Sequence, residues 1–178
     1  MAKGEKMKIL VIDDTEKNRE SAKELATEHE VVVVSGWDES YTLLRPEYTG
    51  TSKTVPWSFQ KVGFDVVLTD LMMPCTTARG FDFNFVGKSI PYGFAIAMFA
   101  IASGIPVAIA SSGDNDNRHS DPILWALCGG GDDYSLGGLH MPVPLSGKFL
   151  LLAGKECPLL EPSRAKDWKK VLERLLKQ

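Results

Sequence analysis

The chain has 178 residues, 44% of them apolar and 24% charged, which is enough to bury a core within one domain. Its formal net charge of −3 gives no electrostatic basis for direct binding to nucleic acid. The three cysteines, Cys75, Cys128 and Cys157, lack the C-x-x-C pairing of a metal site, which favours free thiols in a reducing cytoplasm.

Short apolar runs alternate along the chain with segments of helical character. The apolar runs carry apolar residues on both faces, as buried strands of a parallel sheet do. The helical segments have an apolar side or a proline at the first turn. In chain order, the predicted elements are strand 8–12, helix 15–29, strand 31–34, helix 37–44, strand 64–69, helix 91–104, strand 105–110, helix 121–128, strand 149–153 and helix 161–178.

Two stretches interrupt this alternation. Residues 45–60 are rich in proline, glycine, serine and threonine and are typical of a loop. Residues 75–90 lack clear periodicity and are typical of an insertion. We therefore expect a single domain over residues 1–178 with insertions near 45–60 and 75–90 and no second domain.

One uncharged stretch, residues 89–113, is long enough to cross a bilayer. Gly104 and Pro106 divide it into a helix-like part and a β-rich part. A buried helix followed by a buried strand is therefore favoured over a membrane span, and we expect no contact with a membrane.

The order of the elements predicts an α/β fold with a doubly wound, five-stranded parallel sheet and helices on both faces. Ligands of such sheets bind beyond the carboxyl ends of the strands, near the point where the strand order reverses. Polar residues occupy these ends, and we expect them to meet there: Asp13, Asp14, Asp70, Ser111 and Lys155.

This group of side chains favours phosphoryl chemistry. Three desolvated carboxylates repel one another, and a bound cation would offset this repulsion. Because all the ligand atoms are oxygens, Mg²⁺ is a suitable cation. An aspartate beside Mg²⁺ is a competent nucleophile toward phosphorus. The metal and the ammonium group of Lys155 offset charge on the phosphoryl oxygens, and the hydroxyl of Ser111 hydrogen-bonds one of them.

Three segments carry a family resemblance. KILVIDD at 8–14, DVVLTDLMMP at 65–74 and IPVAIASS at 105–112 resemble strand motifs of response-regulator receiver domains of the CheY-like family. The second segment is the most specific, because it sets Asp70 at a strand end before two methionines and a proline. The resemblance covers most of the chain in order, apart from the two insertions, and implies a flavodoxin-like fold.

Carried over residue by residue, the resemblance implies a role for each polar group. Asp70 is the phosphoacceptor, and Asp14 and Asp70 hold Mg²⁺ directly together with the backbone carbonyl of Met72. Asp13 acts on the metal mainly through water. Ser111 matches the serine or threonine that moves toward the phosphoryl group.

The family's lysine has two possible matches in this chain. In the family, a fifth strand ends in Lys-Pro with an aromatic residue three positions before the lysine. FLLLAGK at 149–155 supplies Lys155 but neither the aromatic nor the proline. GGGDDYSLGG at 129–138 supplies Tyr134 as the aromatic, yet places Gly137 where the lysine belongs. Lys155 is favoured because residues 149–153 have the stronger strand character.

The resemblance implies a phosphoacceptor domain of a two-component system rather than an enzyme with a separate substrate. The expected partners are a histidine kinase or phosphotransfer protein and a downstream protein target, and the expected location is the cytoplasm. One alternative is a pseudo-receiver, an interaction module that is not phosphorylated. Another is a haloacid-dehalogenase-like phosphatase with Asp13 as nucleophile, although the second acid expected two residues on is Thr15.

Overall fold

The computed structural model describes residues 6–44, 63–74, 89–112 and 149–178. Its strands are β1 (Lys8–Ile12), β2 (Glu30–Val34), β3 (Val66–Thr69), β4 (Met73–Pro74), β5 (Ser89–Ile90), β6 (Val107–Ser111), β7 (Phe149–Ala153), β8 (Leu159–Leu160) and β9 (Ala165–Lys166). Its α-helices are α1 (Glu16–Ala22), α2 (Trp37–Leu44), α3 (Tyr92–Ala102) and α4 (Trp168–Leu176), with 3₁₀ helices at Lys23–Thr27 and Gly154–Glu156.

Five strands form one parallel sheet in the order β2-β1-β3-β6-β7, which confirms the predicted α/β architecture. Two two-stranded antiparallel sheets, β4–β5 and β8–β9, stand beside it. The chain order reverses between β1 and β3, and such reversal points are where α/β sheets bind ligands. Ile12 pairs with both Val34 and Thr69, so the carboxyl ends of these three strands lie side by side.

The core has two halves, one on each face of the sheet. In β1, Leu10 and Ile12 face one half, and Ile9 and Val11 face the other, because side chains alternate along a strand. Helices α2 and α3 cover the first face. Helices α1 and α4 cover the second, where Trp168, at 1% exposure, is the largest fully buried side chain among the described residues.

The C-terminal segment differs from its sequence prediction. The predicted helix 161–178 begins only at Trp168, because Asp167 is its N-cap and accepts a hydrogen bond from the Lys170 amide. The residues before the cap form the antiparallel hairpin of β8 and β9. The predicted start at residue 161 was therefore wrong. The apolar side of the helix packs on the sheet, with Trp168, Val171, Leu172 and Leu175 buried and Leu176 partly buried.

Smaller differences occur elsewhere. The predicted helix 15–29 is divided into α1 and the 3₁₀ helix that follows it. Helix α3 has 11 residues and is followed by Gly104 at φ +70°. Within the described ranges, no helix is long and apolar enough to span a membrane. The insertion near 45–60, most of that near 75–90, the helix 121–128 and the alternative match at 129–138 lie outside the described residues.

Candidate functional site

Three carboxylates meet at the carboxyl edge of the sheet. Asp13 follows β1 directly, and Asp70 follows the neighbouring β3. Backbone hydrogen bonds continue the strand pairing one residue past each end, from the Asp70 amide to the Ile12 carbonyl (2.8 Å) and from the Asp13 amide to the Val34 carbonyl (3.2 Å). One carboxylate oxygen from each of Asp13, Asp14 and Asp70 lies within 4.8 Å of the others. The predicted convergence of the three acids is confirmed.

The ammonium group beside these acids belongs to Lys166. Its Nζ lies 2.7 Å from Asp13 Oδ2 and 2.8 Å from Asp70 Oδ1, and the lysine side chain is only 1% exposed. Lys155, which the sequence favoured for this place, instead lies exposed in the short 3₁₀ helix after β7. The correction has a simple cause: the hairpin of β8 and β9 lies between the end of β7 and the lysine that reaches the acids.

Asp13 is fully buried, and both of its carboxylate oxygens are hydrogen-bonded. Oδ1 accepts from the Thr15 amide (2.9 Å) and from Asn18 Nδ2 (3.0 Å). Oδ2 accepts from Asn18 Nδ2 (3.1 Å) and from the Lys166 ammonium (2.7 Å). This saturation holds Asp13 as an acceptor in a fixed position.

Asp70 has a different environment. Its Oδ1 accepts from the Leu71 amide (2.7 Å) and contacts the Lys166 ammonium, and its side chain keeps 13% of its surface exposed. Asp14 is exposed at the same edge. The site is therefore open to solvent on the side of Asp14 and Asp70 and closed on the side of Asp13.

Burial and neighbouring charge shift the pKa values of Asp70 and Lys166. Desolvation raises the pKa of Asp70 to about 6, aided by the Asp13 charge and opposed by the Lys166 charge. Burial also disfavours the charged form of Lys166, but the attraction of Asp70 and Asp13 outweighs it, and the pKa of Lys166 lies above its ordinary value. Lys166 thus carries its charge throughout the physiological range, and one ammonium group does not fully offset the acids around it.

In metal-free protein, we expect Asp70 to reduce stability as the pH rises. The folded state keeps the Asp70 proton up to a pH of about 6, whereas the unfolded chain loses it near 3.9. The folded state therefore binds more protons between about pH 4 and 6, and the free energy of unfolding falls by about 3 kcal/mol across that window.

Urea unfolding in EDTA checks this expectation. Asp70→Asn should match the wild type near pH 4 and be more stable by about 3 kcal/mol at pH 7. The control is Asp65→Asn, which alters an exposed carboxylate that accepts from the Lys8 amide. It should show no such gain, and equal stability of Asp70→Asn and wild type at pH 7 would contradict the assignment.

Two further predicted site residues occupy the same edge of the sheet. Ser111 is the last residue of β6, the strand next to β3, and is 4% exposed. Met72 lies two residues after Asp70, just before β4, and is half-buried. The roles that the resemblance implies for them stay predictions.

The residues present fit a hard divalent cation. Asp13, Asp14 and Asp70 offer carboxylate oxygens within reach of one another, and the buried cluster holds more negative than positive charge. Oxygen donors of this kind are those that magnesium and calcium prefer over softer ligands. This carboxylate cluster could hold a metal ion, which would supply the missing positive charge.

Sequence reasoning missed Lys166, Asn18 and Gly93. Helical spacing could have identified Asn18, because it lies four residues before Ala22 and seven before Leu25 and so belongs to the buried side. Gly93, in the first turn of α3, lies so close to the Asp70 backbone that an ideal Cβ on it would overlap the Asp70 carbonyl oxygen. Nothing in the local sequence distinguishes this glycine.

Comparison with known proteins adds no identification. A scan against protein-family models and a search of curated proteins both find no match to this chain.

Proposed function

We propose that this chain is a phosphoacceptor domain of the receiver type, which takes a phosphoryl group on Asp70 with the help of Mg²⁺. One observation carries the proposal: the Lys166 ammonium lies between the Asp13 and Asp70 carboxylates at the carboxyl edge of the sheet. A lysine, an aspartate with residual exposure and two further acids are the groups that phosphoryl transfer to a carboxylate needs.

In the proposed reaction, a carboxylate oxygen of Asp70 attacks the phosphorus of the donor. The new bond is Asp70 O–P, and the bond that breaks joins phosphorus to the leaving group, which is acetate when the donor is acetyl phosphate. The Lys166 ammonium offsets negative charge on the transferring phosphoryl oxygens. Ser111, at the end of the neighbouring strand, supplies a hydroxyl that donates to one of them.

The metal site belongs to the same proposal. Asp14 and Asp70 would hold Mg²⁺ directly with the Met72 backbone carbonyl, and Asp13 would contact it through water. When bound, Mg²⁺ neutralises charge on the acids and on the phosphoryl oxygens. Asp13, whose four hydrogen bonds are supplied by the protein, keeps its place whether or not the metal is present.

The biological setting proposed here is a two-component system. A histidine kinase or phosphotransfer protein would supply the phosphoryl group in the cytoplasm. The added charge at Asp70 would then bias a surface that a downstream protein recognises.

Acetyl phosphate with Mg²⁺ tests the proposal. The wild type should gain one acid-labile phosphoryl group by intact-protein mass spectrometry, and EDTA should prevent the gain. Asp70→Asn should gain none, whereas Asp65→Asn, which changes an exposed acid elsewhere, should behave like the wild type. Absence of modification in the wild type would favour the pseudo-receiver instead.

A phosphatase that uses Asp13 is the other candidate. Asp13 is fully buried and its two oxygens already accept four hydrogen bonds, which argues against a nucleophilic role. Turnover of a generic phosphate ester that Asp13→Asn abolishes and Asp70→Asn spares would reverse this preference.

A further inference from the structure

Lys166 reaches the acids from a segment that α1 holds in place. The Lys166 amide donates to Asn18 Oδ1 (3.0 Å), and the Lys166 carbonyl accepts from the Ser21 hydroxyl (2.7 Å). The Trp168 indole donates to the Asn18 carbonyl (2.9 Å) two residues further on. Both backbone groups of the lysine are therefore fixed by one turn of α1.

Asn18 differs from the other anchors because its carboxamide contacts two parts of the site at once. Its Nδ2 donates to both oxygens of Asp13, and its Oδ1 accepts from the Lys166 amide. The side chain is 3% exposed, and Asp13 and Lys166 are buried as completely. A carboxamide supplies a donor and an acceptor on one rigid plane, which neither a hydroxyl nor a carboxylate does.

We infer that Asn18 is a positioning residue that holds the Lys166 ammonium between Asp13 and Asp70 for phosphoryl transfer. The inference rests on the proposed function. It assigns a part in phosphoryl transfer to Asn18, which is not among the site residues that the sequence predicted. Asn18 acts through Lys166: when its carboxamide is lost, the Lys166 amide loses its partner on α1, the lysine is held there by the Ser21 hydroxyl alone, and Asp13 loses two of its hydrogen bonds. The ammonium then spends less time where charge develops.

The test measures the rate of phosphorylation by acetyl phosphate at saturating Mg²⁺, and the Mg²⁺ dissociation constant separately. Asn18→Ala should lower the saturated rate about tenfold or more, as loss of a supporting hydrogen-bond partner commonly does. It should leave the Mg²⁺ dissociation constant within about threefold of the wild-type value, because Asp14 and Asp70 hold the ion. A variant that loses only metal affinity, with an unchanged saturated rate, would overturn the inference.

A double-mutant cycle with Lys166→Met separates positioning from general damage. Because Asn18 acts through the lysine, Asn18→Ala should slow a Lys166→Met protein by no more than about twofold. If the double variant is slowed by the product of the two single effects, the residues act independently and the inference is overturned.

Ser40→Ala is the matched control, since it removes a fully buried hydroxyl that donates to the Trp37 carbonyl in α2. It should keep the wild-type rate, and if Asn18→Ala does not fold, Asn18→Ser replaces it in the same comparison.

A second measurement works without phosphorylation. The rate at which acetic anhydride acetylates Lys166 should be low in the wild type and in Ser40→Ala, and several-fold higher in Asn18→Ala. Equal protection in all three proteins would overturn the positioning role. A wild type that is never phosphorylated, yet shows the increase in labelling, would count against the proposed function and leave the anchoring of Lys166 by Asn18 standing.

Discussion

Lys166→Met is expected to lower the free energy of unfolding of the metal-free protein at pH 8 by about 3 to 5 kcal/mol. The lysine and Asp13 are 1% and 0% exposed, so removal of the ammonium leaves two carboxylates close together with little water to solvate them. The two acids raise the pKa of Lys166, which means that the folded state favours the charged lysine and should lose stability when that charge is removed. Urea unfolding in EDTA measures the loss.

Lys169→Met is the matched control for this prediction. It removes the same charge from the neighbouring helix α4, where Lys169 pairs with Glu28 at a distance of 2.6 Å while both side chains remain about half exposed. That pair should contribute little to stability, because water and salt screen two exposed charges. Adding Asp70→Asn to Lys166→Met should recover part of the loss, because one of the two unpaired acids is then neutral. Equal effects of the two lysine substitutions would show that the buried ion pairs do not stabilise the fold.

The same substitution should slow phosphorylation. If Lys166 offsets charge on the transferring phosphoryl group, Lys166→Met should lower the rate from acetyl phosphate at saturating Mg²⁺ about a hundredfold. Lys155→Met removes the lysine that the sequence favoured, which is exposed in the structure, and should have little effect. If Lys155→Met slowed phosphorylation more than Lys166→Met, Lys155 would be the lysine that offsets the phosphoryl charge.

Gly93→Ala should destabilise the fold by about 3 kcal/mol although alanine is the better helix former. An ideal Cβ at this position overlaps the Asp70 carbonyl oxygen and lies 2.8 Å from the Asp70 carbonyl carbon and the Leu71 Cα. These are backbone atoms, so no side chain can rotate away, and the segment that carries Asp70 must shift. Denaturant unfolding measures the stability, and phosphorylation by acetyl phosphate reports the displacement of Asp70.

Gly63→Ala provides the comparison. A Cβ on Gly63 meets no atom within 4 Å, so this change should be neutral or stabilise the protein by up to about 1 kcal/mol. A Gly93→Ala protein as stable as Gly63→Ala would mean that α3 does not pack on the Asp70 backbone in solution.

The sheet and its acids could be predicted because their signals are local. Residues 8–12 and 149–153 are mostly apolar runs, and they form strands of the parallel sheet with the predicted bounds. Asp13 and Asp70 follow their strands directly, so the parallel topology alone brings them to one edge. The position of an acid at a strand end needs no knowledge of the rest of the chain.

The lysine could not be predicted in the same way. Lys155 and Lys166 both follow β7, and proximity along the chain favours the first. The hairpin that delivers the second depends on hydrogen bonds to Asn18 and Ser21, which are 148 and 145 residues away in sequence. Periodicity within a segment carries no information about such a contact.

The acid and the amine that complete the site, Asp13 and Lys166, are 153 residues apart. Closing so long a loop costs more chain entropy than joining neighbouring strands, and contacts of high sequence separation slow folding. The charge balance of the acidic edge thus depends on two parts of the chain that only the folded state brings together. Cleavage or truncation before β9 would leave Asp13 and Asp70 without their ammonium partner, while the strands that carry these acids would keep their pairing.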